Sequence, residues 1–420
     1  MQRPFSINLG NIILSLSNAM DLANPELSQH QLRTAFIVWE MGRVANLNQQ
    51  SLENIFSAAV LHDIGATSVE EMEALHRFEE NDAGEHCLRG WLLFKSVPWL
   101  AKEAEAVLYH HRRWSDWDES LENPTVFNAQ VILLADHVER WVDRGQYILH
   151  QHQKVIQRVQ ALSGWTVHPQ VVELFLEAAR REEFWLDLAA PRMYSLLLNR
   201  GPYKKADVGL DVVEDVAKLF CSVIDFRSRF TATHSSGVAA AAKLISRLHG
   251  FTNNEVKLME IAGNLHDIGK MAVPNRILEK PGKLDEDEMA VMKAHTYHSY
   301  EVINNIEGMQ QIAEWAAFHH EKLDGSGYPF HHDRDSLNLG ARIMSVADVF
   351  TALTEERPYR ESLGKDKVMA ILEGMAGRDH LDRQFVDLVG DDFAEISHQV
   401  ADQQAKAGEF YQDEFSLRPA

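Results

Sequence analysis

The chain has 420 residues, 45% hydrophobic and 25% charged, which suits two or three globular domains with ordinary cores. A formal net charge of −21 excludes a protein that wraps long nucleic acid, because such proteins need a basic face to release counterions. It does not exclude a small anionic substrate, since a metal cluster and a few arginines make one pocket locally positive.

The apolar start, "MQRPFSINLGNIILSLSNAMDL", has no small-residue cleavage pattern behind a basic segment, so it reads as a helix of the fold and not as a signal peptide. Apolar residues then recur at three- and four-residue spacing through "LRTAFIVWEMGRVANL", "QSLENIFSAAVLHDIG", "GEHCLRGWLLFKSV" and "KEAEAVLYHH". "HPQVVELFLEAARREEFWLDL" (168–188) reads as one closing helix, and "LNRGPYKKADVGLD", punctuated by Gly201-Pro202, as a linker. The same periodicity resumes in "VEDVAKLFCSVIDF", "SSGVAAAAKLISRLHG", "NEVKLMEIAGNLHDIG", "DEDEMAVMKAHTYHSYEVINNI" and "QQIAEWAAFHHE", with "DEDE" supplying acids to a first helical turn. No alternating strand pattern is sustained and no apolar run reaches the roughly 18–20 residues that span a bilayer. The pattern predicts an all-α protein of two domains, 1–204 and 205–420. Cys87 and Cys221 are far apart with no CxxC spacing, so a disulfide framework is not expected and a reducing, cytoplasmic setting fits.

Histidine is the outlier, with 21 residues and several adjacent pairs. Setting His62-Asp63 against His266-Asp267 aligns the two halves. His30 and His234 each precede the pair's histidine by 32 residues. His86 is followed after 24 residues by His110-His111, and His295 after 24 residues by His319-His320. Asp136 and Asp348 close the two series. The offset between the halves grows from 204 to 209 to 212, so the second half gained residues where "KMAVPNRILEKPGKL" and "DGSGYP" (324–329) lie. An ordered match of this length implies internal duplication.

Seven nitrogen and oxygen donors per half, with no thiolate among them, favour iron, manganese or similar octahedral ions over structural zinc, and they exceed what one ion needs. Two ions about 3.5–4 Å apart clamp a displacement at phosphorus and make a hydroxide from water near neutral pH. The bland alternative is a set of hydrogen-bonded core histidines, with Asp136 and Asp348 as helix caps.

The second half resembles the HD-GYP family, a subgroup of the HD phosphohydrolases, in "HDIGK" (266–270), "ILEKPGKL" (277–284), "MKAH" (292–295), "HHEKLDGSGYP" (319–329), "ADVFTALT" (347–354) and "RPYR" (357–360). The resemblance implies two tandem helical HD domains, the second a metal-dependent phosphodiesterase. Its implied substrate is a bacterial cyclic dinucleotide, cyclic di-GMP or the 3′3′-cyclic GMP-AMP (cGAMP) of some members. It implies His234, His266, Asp267 and Asp348 as ligands of one metal, Asp267 as bridge, and His295, His319 and His320 as ligands of a second. Lys270 is implied to meet the scissile phosphate, Arg357 and Arg360 to bind a phosphate, and Gly327, Tyr328 and Pro329 to form the substrate loop. Phe230 stands where members with three metals carry an acid, so two ions and a linear dinucleotide product are expected; Ser228 stands where an aspartate that contacts substrate is common, so a different base selectivity is expected.

The first half keeps His30, His62, Asp63, His86, His110, His111 and Asp136, and adds Glu26 one turn before His30, so a second site with two or three more ions is expected. It has Ala66 in place of the lysine and "RRWSDWDES" in place of the GYP stretch, where Arg112, Arg113, Trp114 and Trp117 could bind a phosphate and stack a base or could equally form an interface patch. Three readings follow: a phosphatase acting on the linear product, a sensor of metal or nucleotide, or a structural partner. Rival readings for the whole chain are a generic HD nucleotidase and a signalling adaptor with hydrolysis secondary. The first half has the ligands without the loop. "DGSGYP" is therefore read as a closure over the metals, with Gly325 and Gly327 supplying permissive backbone and deletion leaving metal binding intact.

Overall fold

The structure, a computed structural model, describes residues 6–22, 28–76, 84–227, 233–355 and 362–415. The chain divides into two compact units, one running from Asn8 to Asp207 and the other from Val208 onward together with Ile7. Regular structure among the described residues is almost wholly helical. Its only strands are the two-residue Ile7–Asn8 and Asp207–Val208, which pair with each other. Among the described residues no helix is long and apolar enough to cross a membrane.

In the first unit the helix His30–Val44 is buried along most of its length and packs against Gln49–Val60, Pro124–Trp141 and Pro169–Ala178. Its neighbours begin where the sequence supplies caps. Asn48 Oδ1 accepts from the Ser51 amide at 2.9 Å, and Asn123 caps a helix that has Pro124 in its first turn. The segment 168–188 forms two helices, Pro169–Ala178 and Glu182–Leu188, instead of the single helix expected. The break at Ala179–Arg181 folds Phe184 and Trp185 back onto Phe175, with ring centroids 5.8 and 6.1 Å apart. The freed Ala179 carbonyl accepts from Trp185 Nε1 at 2.9 Å.

In the second unit the helix His234–His249 packs against Asn253–Leu265, Leu339–Thr354 and Phe393–Phe415. Thr252 with Glu255 and Asp285 with Glu288 form capping boxes, the latter built from the "DEDE" run. Gly250, at φ 99°, ends the central helix in the left-handed conformation.

One close approach recurs in both units. A Cβ on Gly269 would overlap the carbonyl oxygen of His295, and a Cβ on Gly65 would overlap that of His86. The glycine of each "HDIG" therefore lets the turn after the aspartate touch the backbone of the helix that carries the next histidine.

Candidate metal centres

The second unit delivers its site from helix ends. His234 opens the helix His234–His249. His266 caps the end of Asn253–Leu265, and Asp267 starts the tight turn Ile268–Ala272. Consecutive residues within a helix diverge by about 100°, and ending the helix between them is what lets both reach one site. His319 and His320 sit on the turn Phe318–His320, while His295 and Asp348 come from the middles of Glu286–Asn304 and Leu339–Thr354. All but the half-buried His320 are buried.

Three of the histidines are held in one tautomer. Nδ1 of His266, His295 and His319 lies 2.8, 2.6 and 2.6 Å from the backbone carbonyls of Gly263, Met292 and Ala316. A carbonyl only accepts, so Nδ1 carries the proton and Nε2 keeps its lone pair for the site. Burial pushes His295 down to about 3 and His319 to about 4, and both are therefore neutral, as a metal ligand must be.

Asp267 lies between two sets of donors. Its Oδ2 is 3.2 Å from His266 Nε2 and 2.5 Å from Lys270 Nζ, while its Oδ1 is 3.4 Å from His295 Nε2 and 3.9 Å from His319 Nε2. Burial alone would raise its pKa, but His266, Lys270 and His295 outweigh it and hold the carboxyl well below the usual carboxylate range, ionised. Asp348 Oδ1 is 3.1 Å from His234 Nε2 and its Oδ2 is 3.9 Å from His320 Nδ1. His266 Nε2 and Asp267 Oδ1 are buried without a hydrogen-bond partner. Orphaned donor atoms around an ionised carboxylate, with ligand atoms of His234, His266 and Asp348 mutually within 4.8 Å and those of His295, His319 and His320 likewise, fit divalent ions.

The loop after His320 does more than cover the site. Buried Glu321 accepts from the amides of Phe330 at 2.7 Å and His332 at 3.0 Å, pinning the loop to the turn that carries the histidines. The Tyr328 ring lies 5.0 Å from that of His320, with Lys293 Nζ 5.4 Å from its centroid. Removing residues 324–329 would take the Tyr328 ring from beside His320 while leaving in the chain Phe330 and His332, whose amides Glu321 holds, so the contacts couple this loop to His320. Gly325 has φ 76°, whereas Gly327 is required by crowding: a Cβ there would overlap Glu321 Cα and lie 2.6 Å from Lys322 N. Gly327→Ala should lower kcat/KM for the substrate roughly 5- to 150-fold with metal content unchanged, because overpacking of this kind costs roughly 1–3 kcal/mol in the closed loop. Parallel kinetics and metal analysis check it.

The first unit repeats the split carboxylate. Asp63 Oδ2 is 3.2 Å from His62 Nε2 and 3.6 Å from His30 Nε2, and its Oδ1 is 3.5 Å from both His86 Nε2 and His110 Nε2. His62 and His110 again direct Nδ1 at the carbonyl three residues back, at 2.9 and 2.6 Å. Two features differ from the second unit. Arg140 grips both oxygens of Asp136 in a bidentate pair, Nε at 2.7 Å from Oδ1 and a terminal nitrogen on Oδ2, so that carboxylate is already neutralised by a side chain. Cys87 Sγ lies 3.6 Å from His86 Nε2 and from His110 Nδ1, joining His86, His110 and His111 in one cluster of possible donors.

Several positioning residues escape a sequence reading. Asp225, buried, accepts from the Ser235 amide at 3.1 Å and so caps the helix that His234 opens. Asp21 holds the same place nine residues before His30 and is likewise buried, a spacing that the duplication could have revealed. Glu139 meets His30 Nδ1 at 2.5 Å and Glu355 meets His234 Nδ1 at 3.4 Å. These two carboxylates lie three and seven residues after the last aspartate, so aligning the halves does not find them. Arg227, also buried, donates to the carbonyls of Lys270 at 3.0 Å and Val273 at 3.3 Å, bracing the turn that presents Lys270. Glu26, Ser228, Phe230, Arg357 and Arg360 lie outside the described residues.

Residues 218–385 and, separately, 27–141 match family models described as HD domain. Over 399 residues, 92% of each chain, this chain is 29% identical to 3′3′-cGAMP-specific phosphodiesterase 1 of Vibrio cholerae serotype O1. It is 26% identical to 3′3′-cGAMP-specific phosphodiesterase 3 of the same organism, covering 87% of this chain and 90% of that one. A cyclic di-GMP phosphodiesterase response regulator of Xanthomonas campestris is 41% identical over 157 residues, 37% of this chain and 42% of its own. The fold is similar to that of the crystal structure of a cyclic GMP-AMP-specific phosphodiesterase of V. cholerae, V-cGAP3, with a TM-score of 0.63 and 23% identity over 99% of each chain.

Proposed function

We propose, from the premise that the chain is a tandem of two HD domains, that its second unit is of the HD-GYP type and opens the ring of a cyclic dinucleotide, 3′3′-cGAMP before cyclic di-GMP. It is a metal-dependent hydrolase. The observation that carries the reading is Asp267, an ionised carboxylate whose two oxygens face different histidine sets while Lys270 and the Gly327–Pro329 loop stand beside it. The order of substrates rests on the relatives that match nearly the whole chain, which are both named for 3′3′-cGAMP.

We assign His234, His266, Asp267 and Asp348 to one divalent ion and Asp267, His295, His319 and His320 to a second, iron or manganese by the nitrogen and oxygen donor set. Such a pair, when bound, supplies a hydroxide and neutralises charge on the phosphate. The protein does the rest. The backbone-locked tautomers of His266, His295 and His319 keep Nε2 aimed inward, and Arg227 fixes the turn from which Lys270 reaches a nonbridging phosphate oxygen. Lys270 is 18% exposed and tied to Asp267 in this state, so it has room to exchange that carboxylate for substrate. Tyr328, Pro329 and Gly327 wall the site on the side of His320, and Arg357 and Arg360 are assigned to the distal phosphate.

For the first unit we favour a phosphatase that takes the terminal phosphate of the linear product. Its intact Asp63 split supports bound metal, and Ala66 leaves it without the second unit's lysine. Product analysis with Mn²⁺ or Fe²⁺ tests both assignments. The expected first product from 3′3′-cGAMP is a linear dinucleotide, followed by a dephosphorylated one. Unreacted cyclic substrate under both metals overturns the reading.

A further inference from the structure

A cavity of ≈ 400 Å³ opens in the second unit among the helices Leu210–Phe226, His234–His249, Asn253–Leu265 and Phe393–Phe415. It backs onto the elements that carry His234 and His266 and contains none of the metal-site residues. We propose that it binds a small phosphorylated ligand of the nucleoside monophosphate class.

Three kinds of group point to that chemistry. Lys218, Lys243, Arg247 and Lys406 line the cavity against two lining carboxylates, Glu260 and Glu395. Lys243 is held by Glu260 at 2.7 Å, and Lys218 and Lys406 each meet an acid one turn away. Arg247 makes no ion pair with any described residue, and a free guanidinium fork at a cavity mouth suits a phosphate. Asn264 lines the wall, 95% buried, with its Nδ2 lacking any hydrogen-bond partner. A buried amide N–H of this kind is costly unless something accepts from it, and a base carbonyl or a ribose oxygen would. Phe410 adds an aromatic ring to the wall, and the volume accommodates a mononucleotide.

The site is placed to be felt at the metal centre. Asn264 precedes His266 by two residues and Ser236 follows His234 by two, while Asp225 ties Ser235 and Ser236 together through their amides and the Ser236 hydroxyl.

The test is calorimetric titration of the full chain, stripped of metal with a chelator, with 5′-GMP, 5′-AMP and inorganic phosphate. One nucleotide should bind more tightly than phosphate, and Arg247→Glu and Lys406→Glu should each weaken that binding at least tenfold. Both side chains are exposed, so the variants should keep wild-type thermal unfolding and wild-type ring opening when metal is restored. No binding by any probe overturns the proposal, as does binding that Arg247→Glu leaves unchanged. Phosphate binding as tightly as the nucleotides overturns the nucleotide assignment. The readout needs neither metal nor catalysis, so it fails independently of the phosphodiesterase reading.

Discussion

Replacing His266 and Asp267 together by alanine will abolish ring opening, a loss of at least on the order of a thousandfold, and will release both ions. The same pair of substitutions at His62 and Asp63 will leave the ring-opening step at the wild-type rate. The first effect is large because Asp267 faces both donor sets at close range: its Oδ1 is directed at His295 and His319 and its Oδ2 at His266. Losing it uncouples the two ion positions, and losing His266 removes an imidazole whose Nδ1 is already committed to Gly263. Metal analysis alongside product chromatography separates loss of ions from loss of fold. If the second-unit variant still opens the ring at the wild-type rate, the site lies elsewhere.

Lys270→Ala will lower kcat by about two to three orders of magnitude while both ions stay bound. The two readouts together distinguish a residue that stabilises charge on the phosphate from one that merely balances Asp267. If Lys270 acted only as a counter-ion, its removal would change metal affinity and leave kcat of the fully loaded enzyme near wild type. The first unit already contains the variant in natural form, since Ala66 occupies the corresponding place behind His62-Asp63.

The histidine spacing made the duplication and both sets of candidate ligands legible, because a metal site is an ordered set of side chains that survives alignment, and apolar periodicity made the all-α fold legible. Helical periodicity located the ligand-bearing segments. What stayed hidden depends on tertiary approach. Glu139 and Glu355 reach equivalent histidines from different turns of different helices, and nothing in their local sequence marks them. Arg140 reads as an ordinary basic residue near a helix end until its fork is seen on Asp136. Nothing in the local sequence marks Glu321, beside the double histidine, as the anchor of the loop. The single helix expected over 168–188 failed because burying Phe184 and Trp185 against Phe175 required a bend that periodicity alone does not encode.

Gly65 and Gly269 carry a wider consequence. In each unit the turn behind the aspartate abuts the main chain of the helix bearing the next histidine, with no side chain serving as spacer. The separation between the aspartate and the far imidazoles is thus gauged by backbone against backbone. Surrounding side chains can change without altering that gauge, and between the two units they have: lysine to alanine, a threonine at 296 to a cysteine at 87, a GYP loop to an arginine- and tryptophan-rich one. On the proposed assignments, a metal-site frame set by the main chain would let the two units carry different chemistries, and exchanging the loop after His111 for the one after His320 becomes a rational route to move activity between them.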